Sequence, residues 1–511
     1  MTDIVITIGP LAADDVIAVA HGGTTVRLDE SAASGMQGAR DVVGAAVAGD
    51  KAVYGVNTGF GALAGHRIDA ADAADLQVKL LRSHAVGVGN PLPSHMVRAM
   101  LVLRARTLAQ GHSGVRPAVV QRIIDLINRD LLPVVPDRGS VGASGDLAPF
   151  AHLALPLIGE GELRDGDTVG PAADVLSQHG LEPLVLEAKE GLSLLNGTEG
   201  MLAWGIMGAH QARRLARAAD VACAMSVEAL LGSARPFDAR VHALRPHAGQ
   251  VTVGANLLRL LADSQITASH LDSDHAVQDA YSLRCAPQVH GAVRDVIAYA
   301  DGVFAVEAGS VADNPIVFPA DGDIVSGGNF HGQPLAFALD FLSIAATEIA
   351  DISERRTDRL LDPDRSSGLP AFLAAKPGLE SGYMLTQYTS AALVAENRVL
   401  SHPASVQSIP TSGSQEDHVS MGWGAGRKLA QVLDNSARVV AIEALCAAEG
   451  VDYRAPLQPS PATAAAVAAI RESVPRLVTD RSLAADIDSV AGMVLTGSLV
   501  EAAEGAIGAL G

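Results

Sequence analysis

Apolar residues recur along most of this chain at spacings of three and four, the period of an amphipathic helix. After Ser94, which suits an N-cap, Val97, Leu101, Ala105 and Leu108 fall on one stripe. A second helix is predicted from Pro117 through Val120, Ile123, Ile124, Ile127 and Leu131, with Pro133 and Pro136 stopping it. Longer Ala/Leu-rich runs follow at Met201–Leu231, Gln288–Ala312, Gln333–Leu361 and His418–Glu449. Each is long enough to run the length of a domain, which points to a helix bundle rather than a doubly wound sheet. Strand signals are confined to Ile4–Ile8 and Thr24–Leu28, which predict a small sheet near the start. Polar, Gly/Pro/Asn-bearing connectors at 277–291, 311–317, 326–332 and 409–421 separate the long runs, and loops on rigid scaffolds are where function usually resides.

Composition narrows the picture. The 511 residues are 48% hydrophobic but only 3% aromatic, so packing falls to Ala, Leu, Val and Ile, of which Ala and Leu head the helix-propensity scale. A net charge of −20 without a Lys/Arg cluster argues against nucleic acid as a partner. No apolar run approaches the length of a membrane span, and the first residues lack a basic, then apolar, leader, so a cytoplasmic location is expected. Cys223, Cys285 and Cys446 are far apart with no metal-type spacing, and are expected to be buried thiols. His331 and His418 likewise lack carboxylate or histidine partners at ligand spacing, so no metal is expected.

One segment stands apart. Asp137–Phe150 reads DRGSVGASGDLAPF, a bare Gly/Ser stretch running straight into an apolar one. It is not a nucleophile elbow, because the second glycine of G-x-S-x-G comes one place early, at Gly145. Nor is it a phosphate loop, because Asp146 stands where that motif has lysine. A flexible connector accounts for the composition but not for the buried continuation. The backbone offers another reading. The Gly145 amide nitrogen can attack the Ala143 carbonyl carbon, since glycine has no Cβ to obstruct so tight a bend. Loss of that oxygen and of the Ser144 hydroxyl as two waters leaves a five-membered ring with an exocyclic methylidene, an electrophile that no ordinary side chain supplies.

GSVGASGDLAP resembles the signature of the aromatic amino acid ammonia-lyases. The likeness extends over nearly the whole chain through YGVNTGFG, LLRSHAVGVG, GLSLLNGT, VQDAYSLRCAPQV, DNPIVF, GGNFHG, SERRTDRLLD and HPASVQSIPTSGSQEDHVSMG, and it is strongest to the family's histidine-specific members. The resemblance implies a mainly α, multihelical long-helix bundle of the ammonia-lyase and fumarase–aspartase-like kind, with a small β-containing N-terminal part. Residues 1–199 would carry the electrophile loop and 200–511 the long helices. It also implies a homotetramer whose active sites draw on several subunits, so that Tyr54, Ser144 and Glu416 are expected to meet only across chains, and a 4-methylidene-imidazol-5-one group made from Ala143, Ser144 and Gly145 with no external cofactor. The implied reaction is conversion of L-histidine to trans-urocanate and ammonia.

The roles follow from the same likeness. Tyr54 matches the family's tyrosine base, which must be activated because a free phenol titrates near ~10. Tyr281 matches its second tyrosine near the electrophile. Arg284 matches the clamp on the substrate carboxylate, for which a planar fork is suited, with Gln278 and Asn196 as neutral donors around it. His84 and Glu416 match the positions that choose an imidazole ring: a carboxylate can accept its N–H, whereas beside phenyl it would be a costly unpaired charge. Phe330 and Met384 match pocket walls, and either is nearly as well explained as core. Glu416 is open to a role as base or as ring partner only. His290 and the Gly413-Ser414 pair depart from the family pattern and are expected to alter the pocket rim. Three alternatives stay open: an aminomutase returning ammonia to the β-carbon, a lyase for tyrosine or phenylalanine, and a non-catalytic helical assembly whose Ala-Ser-Gly never cyclises.

Overall fold

A computed structural model describes residues 3–271 and 277–511. The chain is mainly α-helical. Long helices run from Glu199 to Ala229, Ala286 to Gly309, Gln333 to Leu361 and Gly422 to Asp452, close to the four Ala/Leu-rich runs. Ile4–Ile6 and Val26–Leu28 form a two-stranded parallel pair, as their β-branched composition suggests. The β content is wider than expected. Val88–Pro91 pairs with Pro136–Arg138, Leu131–Pro133 joins a three-stranded antiparallel sheet, and Ile316–Phe318 pairs with Asp323–Val325 well beyond the N-terminal part.

Two local expectations are corrected. Ser94 is the first residue of the helix Ser94–Leu108 rather than its cap, the cap position being Pro93 with no side-chain bond. The helix begun at Pro117 ends at Asn128, because Asp130 turns left-handed at φ 55° and Leu131 enters a strand before either proline is reached.

The chain forms two compact units. One comprises the residues up to Met207 with Asp301–Asp340 and Pro403–Arg427; the other comprises Gly208–Ala300, Phe341–His402 and Lys428–Gly511. The first unit is thus built from three separate stretches of chain. The reason is visible inside the first unit, where later connectors close over the Gly/Ser segment. Met421 N–H donates to the Val141 carbonyl at 2.9 Å and Trp423 Nε1–H to that of Asp137 at 2.8 Å.

In the second unit a fully buried polar cluster joins Asp220 and His290 at 2.8 Å and Arg356 and Glu443 at 2.5 Å. His290 is thus a packing and hydrogen-bonding residue with no exposure, not part of a pocket rim. Cys223 and Cys446 are buried, and burial pushes both thiols up to about 12; Cys285 is only half-buried. Among the described residues no single helix is long and apolar enough to cross a membrane, although the bent pair Ala484–Thr496 and Ser498–Ile507 passes on length and composition together.

Candidate active site

Ser144 sits in a turn that its neighbours force into a left-handed path, with φ 51° at Ser144 and 81° at Gly145. Gly145 lies beside Gly197 as an isolated parallel bridge, and Asp146 N–H donates to the Gly197 carbonyl at 2.9 Å. The Gly197 segment is itself held by Arg104, which is fully buried. Its guanidinium donates to the Asn196 carbonyl at 2.6 Å, pairs with Glu199 at 2.8 Å and lies 4.2 Å over the Phe150 ring. On the other side, a Cβ on Gly142 would stand 2.2 Å from Ser420 Oγ. A segment of flexible composition is therefore clamped on both flanks.

Two cavities open at Ser144. The larger, about 770 Å³, is lined by Tyr54, His84, Ser144, Asn196 and Glu416, with Gly413 also on its wall, so Tyr54, Ser144 and Glu416 meet within one chain rather than only across chains. The smaller, about 440 Å³, is lined by Tyr54, Ala143, Ser144, Phe330, His331, Glu416 and His418. His331 Nε2 is 3.2 Å from the His418 carbonyl, and among the described residues no group of three or more His, Cys, Asp or Glu could hold a metal ion.

Tyr54 Oη accepts the Gly61 N–H at 3.1 Å, and its ring meets Phe60 edge-on at 6.3 Å. Burial raises the phenol above its ordinary value, the Gly61 bond opposes this, and the Glu416 charge adds to the rise. The activation required of a tyrosine base does not come from these neighbours. His84 closes the helix Ala73–His84, with Nδ1 3.0 Å from the Leu80 carbonyl. Burial lowers its pKa, the Leu80 bond and Glu416 opposing, which favours the neutral imidazole. Glu416 lies in a hairpin closed by its own backbone bonds with Thr411, and Thr411 Oγ1 donates to Glu416 Oε2 at 2.7 Å. Asn196 donates its side-chain amide to the Asn314 carbonyl at 2.6 Å.

Gln278, Tyr281, Arg284 and Met384 belong to the second unit and line neither of these cavities. Tyr281 is 71% exposed, with the Arg284 guanidinium 4.6 Å over its ring. Arg284 Nε–H donates to the Asp279 carbonyl at 2.9 Å, and Arg284 and Gln278 share a separate cavity of about 430 Å³. Met384 is the half-buried first residue of the helix Met384–Leu400.

The sequence matches the aromatic amino acid lyase family over residues 11–472. The chain belongs to that family. It is 54% identical to a histidine ammonia-lyase of Gloeobacter violaceus, over 98% of this chain and 97% of that one. Among solved structures it superposes on histidine ammonia-lyase from Trypanosoma cruzi with a TM-score of 0.91 and 40% identity, covering 99% of this chain and 96% of that one. It superposes on a tyrosine aminomutase from Streptomyces globisporus with a TM-score of 0.94 and 38% identity, covering 99% of each.

Whether this lyase's Ala143, Ser144 and Gly145 suit ring closure can be tested on the turn itself. A Cβ at Gly145 would lie 2.0 Å from the Gly197 carbonyl oxygen, so the bend tolerates only glycine, while Ser144 faces both cavities. The residues fit the group. Asp146, marked in the sequence only as the residue that excludes a phosphate loop, is wholly buried behind that turn. Its Oδ2 accepts the Met201 N–H at 2.8 Å and its Oδ1 the Ser140 hydroxyl at 3.3 Å. Burial pushes its carboxyl up to about 7 despite these bonds. A charged residue leading into LAPF was the available signal. Nothing in the spacing marks Thr411.

Proposed function

We propose that this chain removes ammonia from L-histidine, giving trans-urocanate, at the cavity around Ser144. The observation that carries this is the meeting of Glu416 and His84 with Tyr54 and Ser144 in the lining of one cavity. A carboxylate there accepts the N–H of an imidazole, while a phenyl ring in the same place would leave the oxygen not bonded to Thr411 without a donor. The group formed from Ala143, Ser144 and Gly145 supplies an electrophilic carbon for the substrate amine. Tyr54 takes the β-proton. Because its own neighbours raise its pKa, activation has to come with the bound substrate or another subunit. In this reading the protein is a homotetramer, and Gln278, Tyr281, Arg284 and Met384 complete the site from other copies, Arg284 gripping the substrate carboxylate.

The test is incubation with L-histidine and identification of the product, beside intact-mass measurement. Urocanate with ammonia, and a chain lighter by two waters, are expected. Ser144→Ala should keep fold and assembly but lose both the mass change and turnover. A full-mass wild type without turnover would instead identify a non-catalytic assembly. The likeness to a tyrosine aminomutase favours a second reading, in which the amine returns to the β-carbon; β-histidine as product would establish it.

A further inference from the structure

We propose that Thr411 is a positioning residue for substrate selectivity, its hydroxyl holding the Glu416 carboxylate in the orientation that meets the imidazole; this rests on the histidine reading above. A glutamate side chain has several rotatable bonds, and a half-buried one facing a wide cavity would lose affinity through disorder. Here one oxygen is committed. Thr411 Oγ1 donates to Glu416 Oε2 at 2.7 Å, within the range of charge-assisted bonds, which leaves Oε1 for the ring.

The donor is itself fixed. Threonine is stiff at χ1, and its backbone pairs with that of Glu416 in both directions, at 2.9 and 3.3 Å. The intervening Ser412, Gly413 and Ser414 are all left-handed, with φ of 49°, 59° and 68°, which closes the hairpin tightly. Ser412 Oγ then accepts the Ala62 N–H at 3.3 Å, one residue from the Gly61 N–H that donates to Tyr54 Oη. Carboxylate and tyrosine are thereby held in one frame, with Thr411 setting the direction of the carboxylate within it.

The experiment compares Thr411→Val and Thr411→Ser in the wild type and in a Glu416→Ala background. It measures kcat and KM for L-histidine and competitive inhibition by 3-(imidazol-4-yl)propionate. Removing the hydroxyl should lower kcat/KM by roughly 10-fold or more. Most of that loss should appear in KM and in a matching weakening of the inhibitor. Thr411→Ser should restore both, and Thr411→Val should add nothing once Glu416 is alanine. An equal loss in the Glu416→Ala background, no rescue by serine, or an unmoved inhibition constant would overturn the positioning role. Thr411→Cys, which keeps the size but weakens the donor, carries the same test if Thr411→Val does not fold by circular dichroism. Wild type giving no urocanate would overturn the histidine reading instead, so the two failures are distinguishable.

Discussion

Gly145 and Gly197 approach so closely that a Cβ added to Gly145 would stand 2.0 Å from the Gly197 carbonyl oxygen and 2.4 Å from its carbon. Gly197 has no room to retreat, since Glu199 and Arg104 lie 2.2 and 2.7 Å from where its own Cβ would be. Gly145→Ala should therefore open the turn, leave the chain at full mass without the loss of two waters, and lower Tm. A Gly145→Ala protein that is both lighter by two waters and as stable as wild type would show that the close approach is not needed.

Selectivity should follow charge at Glu416. Glu416→Gln keeps the shape and removes the charge facing the cavity, so it should cut L-histidine turnover severely while reducing the discrimination against L-phenylalanine. His84→Leu should act in the same direction, and the double variant should lose less than the sum of the two, because both side chains face one cavity. Comparing kcat/KM for L-histidine, L-tyrosine and L-phenylalanine decides the matter. Equal losses on all three would assign Glu416 to the common elimination chemistry.

Asp146 should leave a mark on the pH dependence of stability. Its folded pKa, raised by burial to about 7, exceeds the ordinary 3.8. Between those values the folded chain holds a proton that the unfolded chain releases, so this group's contribution falls as pH rises through the window and is fully unfavourable above it. Asp146→Asn, which keeps an acceptor for the Met201 N–H, should flatten that part of the Tm profile. A wild-type slope retained by the variant would mean that Asp146 titrates normally.

The buried pair in the second unit gives a stability test remote from Ser144. Arg356 holds both oxygens of Glu443, at 2.5 and 2.9 Å, with Ser226 donating to Oε1 at 2.7 Å; the remaining nitrogen of Arg356 donates to the Ser282 carbonyl, in the short helix Tyr281–Arg284, at 3.2 Å. Arg356→Met strands a buried carboxylate and should cost about 3–5 kcal/mol in urea unfolding, much of it recovered by adding Glu443→Leu. No recovery in the double variant would show that the arginine matters through Ser282 rather than through the charge.

What the sequence settled by itself is local. Helix formation in Gln333–Leu361 depends on residues three and four apart, and both of its ends coincide with the run of apolar periodicity. The suitability of Ala143-Ser144-Gly145 for a tight bend was readable for the same reason, because glycine's missing Cβ is a property of one position. The helices Glu30–Ala48 and Met384–Leu400 are not among the runs the sequence marked out, although their apolar stripes are no weaker than that of Ser94–Leu108. Family likeness named Tyr54, His84 and Glu416, but spacing could not say that residues more than 300 positions apart share a cavity. Tertiary structure alone decided that Asp146 is buried, that His290 belongs to a polar core, and that Thr411 reaches Glu416. Each of these depends on which groups exclude water from a side chain or supply its hydrogen bonds, and those groups arrive from distant parts of the chain or across a closed hairpin.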